Sequence, residues 1–363
     1  MLRPYIETPK DKLKIGATIG PWVVRERLVS QQQVVGESGS FFSRGYIVEN
    51  DKGESAFLKA MDYKTAMVLY QHLSPTDAML QIATDIAFEK KVAMHCRRMS
   101  RVITAIDEHT LNSGSLDEWV ECIIFEKAEG HIRKFIDFSK ELDAIFILKA
   151  LHNTCVGLSQ LHTNGMAHED VKPSNVMVMN RAEKHSAKIG DLGRIVVKDP
   201  SVFGLSKTPA HFNYAFPGDK DYAPPEAMYR ARLDMDEFQH RVICDLFQFG
   251  SLVYFCFVNV TMPAALLHYT HVDHQPANKG YFEAIPYLHA ALNEALRDLE
   301  LASPPFIKDE LVQIVQELCN PDYRLRGHPR DIRGRSYSPS LHRYHPILNR
   351  LLRKTTMQVE RSA

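Results

Sequence analysis

The hydrophobic pattern of this chain changes near residue 128. Before that point, short stretches rich in β-branched and aromatic residues alternate with turn formers, which is the pattern of strands. An intervening stretch, residues 85–98, is rich in Ala, Glu, Lys and Met and predicts a helix. The first part is therefore expected to form a small, sheet-rich lobe. Its predicted strands are residues 22–28, 45–49, 55–61, 101–107 and 119–127.

After residue 141 the chain carries long apolar stretches with a 3.6-residue period, which predict helices. The predicted helices are residues 141–162, 246–258, 285–299 and 309–318, with strands at 175–179 and 187–190. We expect an α+β fold in two lobes, the second mainly helical. The predicted organisation is an N-terminal extension (1–21), a first lobe (22–128), a second lobe (129–330) and a basic tail (331–363).

Composition narrows the class of protein. The 363 residues are 45% hydrophobic, and 44 basic residues balance 44 acidic ones. The chain therefore lacks the cationic surplus that a dedicated nucleic-acid site needs, and none is expected. The six cysteines form no Cys-x-x-Cys pair, and the longest apolar run, seven residues at 252–258, is too short to span a bilayer. With no signal-peptide pattern at the N-terminus, these features predict a cytoplasmic, intracellular protein without a membrane span.

The C-terminal region differs in charge from the rest. Residues 321–363 carry nine arginines and one lysine against three acids, and residues 341–357 have the pattern of a short basic helix. A solvated surface element that packs a few leucines on the second lobe is the favoured interpretation. Contact with a membrane or a nucleic acid is the alternative.

The segment from His168 to Asn175 carries the most chemistry. It reads His-Glu-Asp-Val-Lys-Pro-Ser-Asn, and Asp191-Leu192-Gly193 follows sixteen residues later. A proline-stiffened loop can present the carboxylate of Asp170 and the amide oxygen of Asn175 to one cavity. Together with Asp191 and Lys172, these groups suit hard cations and phosphate oxygens.

These residues resemble the signature of the eukaryotic-type protein kinases. That family carries His-Arg-Asp-x-Lys-x-x-Asn and Asp-Phe-Gly at comparable separation. Only Glu169 and Leu192 depart from it here. The resemblance covers roughly residues 22–330 and implies a two-lobe kinase fold that binds ATP in the cleft between its lobes.

The resemblance also implies roles for the matching residues. Asp170 would accept or orient the proton of the attacking hydroxyl, and Lys172 would neutralise charge on the moving phosphoryl group. Asn175 and Asp191 would bind Mg²⁺. Lysine two residues after the aspartate resembles the serine/threonine form of this loop, which favours serine or threonine of a protein as acceptor.

A lysine and a glutamate in the first lobe match the family's phosphate-holding ion pair. Lys59 lies on a predicted strand and would hold the α- and β-phosphates of ATP. Glu89, on the predicted helix, would be its partner. Their separation of thirty positions is wider than in the family pattern and predicts an insertion around residues 62–84.

Two further segments would complete the ATP site. Gly36 and Gly39 lie between the first two predicted strands, where backbone N–H groups could cover phosphates. Their spacing departs from the compact family pattern, and an extended hairpin is the alternative. The main chain of Glu126 and Ala128 would pair with adenine in the link between lobes, and Phe125 would narrow the pocket.

Residues 218–226 resemble the segment that closes the activation loop of kinases. In that resemblance Glu226 forms a buried ion pair, for which Arg324 is the predicted partner. Asp245 would support the backbone of the catalytic loop. Asp219 stands where serine/threonine kinases commonly have threonine, and a second acid there could raise a pKa or misplace Asp170.

Glu169 replaces an arginine that an activation-loop phosphate must neutralise in many relatives. A glutamate removes that requirement and would repel a phosphate. We therefore expect activity that does not depend on phosphorylation at Ser206 or Thr208.

The sequence therefore predicts an ATP- and Mg²⁺-dependent serine/threonine protein kinase. A catalytically silent kinase-like scaffold is the first alternative, because Glu169, Asp219 and the glycine loop depart from the family pattern. A small-molecule kinase on the same fold is the second. A zinc site at His268, His271, Asp273 and His274 is also conceivable, but no sequence-remote ligand is indicated, and a solvated loop is favoured.

Overall fold

The computed structural model describes residues 13–28, 43–67, 70–111, 119–179, 186–205, 218–333 and 337–362. The chain forms two compact units. The first comprises residues 1–97 and 104–127, and the second comprises residues 98–103 and 128–363. Residues 101–103, predicted as the start of a first-lobe strand, instead pair with the second unit: the amide of Ile103 donates to the carbonyl of Ile189 at 2.8 Å.

The first unit is built on a six-stranded antiparallel sheet in the order β1-β2-β3-β4-β6-β5. Alternate side chains such as Trp22, Val24, Tyr46, Val48 and Leu58 form its hydrophobic core. Four of the five predicted strands lie within about two residues of their observed ends. The strands are β1 (Thr18–Ile19), β2 (Trp22–Leu28), β3 (Ser43–Asn50), β4 (Ser55–Asp62), β5 (Ala105–Leu111) and β6 (Val120–Glu126).

The helices of the first unit are α1 (Tyr63–Met67) and α2 (Pro75–His95). α2 begins ten residues before the predicted start. The hydroxyl oxygen of Ser74 accepts a hydrogen bond from the amide of Asp77 at 3.2 Å, and Pro75 occupies the first helical position. The first half of α2 therefore accounts for part of the insertion that was expected around residues 62–84.

The second unit is mainly helical. Its short strands pair as the sheets β10-β9-β7 and β11-β8. The helices are α3 (Ala144–Thr163), α4 (Pro225–Met228), α5 (Glu237–Val258), α6 (Met262–Tyr269), α7 (Tyr281–Ala302), α8 (Lys308–Leu318), α9 (Pro329–Ile332) and α10 (Tyr344–Ser362). The strands are β7 (Gly130–His131), β8 (Met166–Ala167), β9 (Val176–Met179), β10 (Ser186–Ile189) and β11 (Val196–Val197).

Helix α5 is the central element of the second unit. The carboxylate of Asp236 caps its start by accepting from the amide of Gln239 at 2.9 Å, and every residue from 242 to 257 is buried. The helix is long and apolar enough to cross a membrane, but 89% of its apolar window is buried inside the protein. Such burial is that of a core helix, with neighbours on all sides.

The basic tail contains α10, which packs on α3. Leu348 and Leu351 are buried, and the ring of His345 lies 2.8 Å from the hydroxyl of Ser159 on α3. The opposite side of the helix exposes Arg350 and Arg353. The helix starts three residues later than predicted and continues to residue 362.

Candidate active site

Lys59 and Glu89 form an ion pair inside the first unit. Leu58 and Ala60 point into the core of the sheet, so Lys59 between them lies on the other face of β4. Its Nζ is 2.5 Å from Oε1 of Glu89 on α2, and only 12% and 7% of the two side chains is exposed. Asp85, one turn before Glu89 on α2, accepts a hydrogen bond from Gln81 at 2.7 Å. The structure therefore brings together the lysine and glutamate that the sequence singled out.

The structure describes only some of the other candidate residues of the first lobe. Gly36 and Gly39 lie outside the described residues. Glu126 is the last residue of β6, where its amide donates to the carbonyl of Thr104 at 3.0 Å and its carboxylate accepts from the amide of Thr104 at 2.7 Å. Ala128 begins the second stretch of the other unit. Glu126 and Ala128 therefore lie on either side of the boundary between the two units along the chain. Their pairing with adenine remains a prediction.

The catalytic-loop candidates meet in the second unit, between β8 and β9. Asn175 lies in a short 3₁₀ helix, residues 173–175, and its Nδ2 donates to the carbonyl oxygen of Asp170 at 2.7 Å and to the Asp170 carboxylate at 3.1 Å. The other carboxylate oxygen of Asp170 accepts from the amide of Asp219 at 3.1 Å. Asp170 is thereby fixed from two sides in a buried position.

Lys172 completes this group. Its Nζ lies 3.0 Å from the Asp170 carboxylate and 3.4 Å from that of Asp219, and the side chain is almost wholly buried. This ammonium places a positive charge beside the Asp170 carboxylate, where it can neutralise the charge of a phosphate oxygen. Asp219 shares that lysine with Asp170.

Asp191 follows β10 and adopts a left-handed backbone conformation, with φ 57°. The preceding residue, Gly190, donates its amide to the carbonyl of Asn175 at 2.8 Å, which joins the two segments. Since Nδ2 of Asn175 is engaged by Asp170, the amide oxygen is the atom that can ligate a cation. A carboxamide oxygen and an exposed carboxylate are the hard oxygen ligands that Mg²⁺ prefers.

Asp245 of α5 supports the catalytic loop, as the resemblance implied. Its carboxylate accepts from the backbone amides of His168 and Glu169, both at 2.7 Å, and lies 2.8 Å from the ring of His162. His168 accepts from the amide of Asp170 through Nδ1, so its Nε2 donates to the carbonyl of Gly190 at 2.9 Å. One ring therefore ties the catalytic loop to the segment before Asp191.

Glu169 has a partner that the sequence analysis did not identify. Arg241 of α5 places Nη1 at 3.1 and 3.2 Å from the two carboxylate oxygens. Burial raises the pKa of Glu169 to about 7, because Arg241 offsets only part of the desolvation and Asp245 adds to the increase. The signal in the sequence was helical spacing: residues 241, 245 and 248 share one face of α5.

The predicted Glu226–Arg324 pair is wrong. Glu226 binds Arg326 instead, with both guanidinium nitrogens donating to the two carboxylate oxygens at 2.7 and 2.8 Å. Arg324 donates to Asp322, which also caps the short helix at 323–325 and so takes up the nearer arginine. Although burial pushes the pKa of Glu226 upward, Arg326 lowers it to about 2.

Among the described residues, potential metal ligands outside the Asp170 loop come together at one place, which is formed by Glu226, His240 and Cys244. The guanidinium of Arg326 already binds that carboxylate, and its charge opposes a cation. Among the histidines considered for zinc, His268 is exposed in the last turn of α6, and the ring of His271 contacts Asp273 at 3.3 Å. The half-buried ring of His274 stacks on Tyr287.

Comparisons with known proteins fit this arrangement. A model of the protein kinase domain matches residues 38–338. The Wee1-like protein kinase of Oryza sativa subsp. japonica is 32% identical over 107 residues, which are 30% of this chain and 16% of that protein. The inactive serine/threonine-protein kinase PLK5 of Mus musculus is 24% identical over 322 residues, 87% of this chain and 49% of that protein.

The sporulation protein kinase mde3 of Schizosaccharomyces pombe is 24% identical over 188 residues, 50% of this chain and 29% of that protein. The chain thus spans less than half the length of each of these three relatives. The domain match covers most of the chain and includes every described residue of the Asp170 group. By its α+β fold and this match, the chain belongs to the protein kinase family.

Proposed function

We propose that this protein is an ATP- and Mg²⁺-dependent kinase that transfers the γ-phosphoryl group to serine or threonine of a protein substrate. The observation that carries the proposal is the buried contact of Asp170 with Lys172 and Asn175. A carboxylate, an ammonium and a carboxamide held in one loop are the groups that phosphoryl transfer requires. Lys172, two residues after Asp170, gives the loop its serine/threonine form and supports the acceptor class, as does the similarity to PLK5, which is named a serine/threonine-protein kinase although an inactive one.

In this proposal each residue acts through position and charge. Asp170 accepts the proton of the attacking hydroxyl, since its carboxylate is fixed by the amide of Asp219 and by Asn175. Lys172 neutralises charge that develops on the transferred group. Bound Mg²⁺ would supply charge neutralisation of the phosphates, and Asn175 and Asp191 are the residues to hold it.

In the first unit, the ion pair with Glu89 fixes the ammonium of Lys59. A lysine held in this way can bind the α- and β-phosphates of ATP, whereas a mobile lysine would lose entropy on binding. We assign residues 22–128 to ATP binding and residues 129–330 to catalysis and substrate binding. An intracellular location belongs to the same proposal, since ATP is the donor and the six cysteines are free and buried.

The test is transfer of labelled phosphate from [γ-³²P]ATP to a generic protein acceptor, followed by phosphoamino-acid analysis. We expect labelled serine or threonine with the wild type and a loss of at least about 100-fold in kcat with Asp170→Asn. Asp234→Asn, a change of an exposed acid, is the matched control and should retain wild-type activity. Equal transfer by the wild type and Asp170→Asn would refute the assignment of Asp170.

A catalytically silent scaffold is the second candidate. It is favoured by Asp219, whose carboxylate competes with Asp170 for Lys172, and by the relative that is named inactive. Absence of transfer by the wild type, with ATP binding intact, would establish this alternative. Restoration of transfer by Asp219→Thr would then identify that acid as the cause. A parallel assay with small-molecule acceptors separates the protein kinase from a small-molecule kinase.

A further inference from the structure

Glu169, the residue before Asp170, is held by side chains on one face of α5. The carboxylate of Asp245 accepts from the amide of Glu169 at 2.7 Å, and Nε2 of Gln248 donates to its carbonyl at 3.1 Å. Arg241, one turn before Asp245 on the same face, binds the side chain. Amide, carbonyl and side chain of one residue are therefore all held by a single rigid element.

Among these contacts, the one between Glu169 and Arg241 is an ion pair. The exposed fractions of the two side chains are only 6% and 12%, so water screens the interaction little. Arg241 also reaches Glu237 at 3.2 Å, one turn earlier on α5. The contact supports an unusual backbone, because Glu169 has φ 64°, a conformation that residues other than glycine adopt rarely.

A second arginine links this region to residues 191–226, here called the activation segment. Arg194, three residues after Asp191, acts electrostatically on Glu169 and donates from Nη1 to the carbonyl of Gly218 at 3.2 Å. Gly218 is pressed against the catalytic loop: a Cβ atom there would lie 2.0 Å from the carbonyl oxygen of Glu169. Glu169 thus lies where the catalytic loop, α5 and both ends of the activation segment meet.

We propose that the Glu169–Arg241 ion pair positions Asp170 for catalysis, using residues of this chain alone and with the charges reversed relative to the arginine and phosphate of many kinases. This inference rests on the proposed phosphoryl transfer. Glu169 supplies the anion from the catalytic loop itself, and α5 supplies the cation. Both are positioning residues, since their contacts run to the backbone next to Asp170 and its support.

A charge exchange tests the pair. Glu169→Arg would place a third guanidinium beside Arg241 and Arg194, and Arg241→Glu would place two carboxylates together. We expect each single change to lower kcat about 30-fold or more while KM for ATP changes less than about threefold. The double variant Glu169→Arg/Arg241→Glu should return to within about fivefold of the wild type.

The exposed Glu294–Arg297 pair of α7 provides the matched control, because exchanging its charges should leave kcat unchanged. Wild-type kcat in either single variant of the Glu169–Arg241 pair, or a folded double variant no better than the singles, would overturn the proposal. If an exchanged variant does not fold, Glu169→Gln and Arg241→Gln replace it. Non-additive losses in kcat support the pair, and additive losses overturn it.

Hydrogen exchange separates this inference from the proposed function. If the wild type transfers no phosphate, the proposed function fails, and the pair is judged by the exchange rates of the amides of residues 168–171. Faster exchange in Glu169→Gln than in the wild type would show that the pair orders the loop. Unchanged exchange would remove it as a positioning device.

Discussion

Two buried Glu–Arg pairs in the second unit have opposite electrostatic outcomes. Glu226 meets Arg326 fork to fork, and the pKa of Glu226 is lowered to about 2. Glu169 meets Arg241 through one nitrogen only, and the pKa of Glu169 is raised to about 7. Burial raises the pKa in both cases, so the partner geometry and the neighbouring charges decide the result.

The neighbours explain the difference. Arg326 is fully buried and points both nitrogens at Glu226, with His240 adding a further favourable contact at 3.5 Å. Arg241 is shared with Glu237, and Asp245 adds a negative charge near Glu169. A pair with two parallel hydrogen bonds is built for stability, whereas the shared pair beside Asp170 leaves the pKa of its buried carboxylate raised.

The largest effect on stability is expected at the Glu226–Arg326 pair. Arg326→Gln leaves Glu226 buried without its cation and should lower the free energy of unfolding by about 3–5 kcal/mol. Urea unfolding at pH 7, followed by circular dichroism, measures this loss. The matched control is Arg324→Gln, whose exposed guanidinium binds Asp322 and should contribute less than about 1 kcal/mol. Equal losses in the two variants would contradict the structural role of Arg326.

The next effect is a contrast in pH dependence. The pKa of Glu226 lies below the usual value of 4.5, so its contribution to stability is complete above pH 4.5 and is lost only as the pH falls toward 2. The pKa of Glu169 lies above that value, so its contribution is complete below pH 4.5 and is lost as the pH rises through 7.

Urea unfolding between pH 5 and pH 8 therefore separates the two glutamates. The difference in unfolding free energy between the wild type and Glu226→Gln should stay constant across this range. The difference for Glu169→Gln should shift in favour of the glutamine variant as the pH rises from 5 to about 7 and should then level off. Parallel curves for both variants would show that folding does not raise the pKa of Glu169.

The same pairs show how far the sequence could predict the site. Asp170, Lys172, Asn175 and Asp191 could be singled out because each belongs to a short motif with fixed spacing, and Lys59 because it lies on a predicted strand ahead of those motifs. The partner of Glu226 was predicted two residues too early, since spacing alone cannot tell which of two arginines is captured by the cap residue Asp322. Arg241 was missed because its role depends on which face of α5 meets the catalytic loop.

The fold was predictable to a similar degree. Alternation placed most strands of the first sheet and the apolar period placed the long helices, because burial fixes both patterns. The starts of α2 and α5 were missed by ten and nine residues, since their first turns are polar and are set by the caps Ser74 and Asp236. Residues 101–103 were misassigned because their partner, Ile189, is distant in sequence.

The smallest effect is expected at the activation segment. Ser206 and Thr208 lie outside the described residues. If the Glu169–Arg241 pair replaces a phosphate, Ser206→Ala/Thr208→Ala should change kcat less than about twofold in protein expressed with or without phosphatase treatment. The measurement is the initial rate of transfer to a protein acceptor. A large gain in activity on phosphorylation of either residue would show that the pair does not suffice.

Nucleotide binding with and without Mg²⁺ is the most direct test that this chain holds a functional phosphoryl-transfer site. Calorimetric titration of the wild type with ATP should give a Kd at least about tenfold lower in 5 mM Mg²⁺ than in EDTA. Asp191→Ala should remove that difference while its thermal unfolding stays like that of the wild type. ATP binding that ignores Mg²⁺ in the wild type, or the same Mg²⁺ effect in Asp191→Ala, would contradict the assignment.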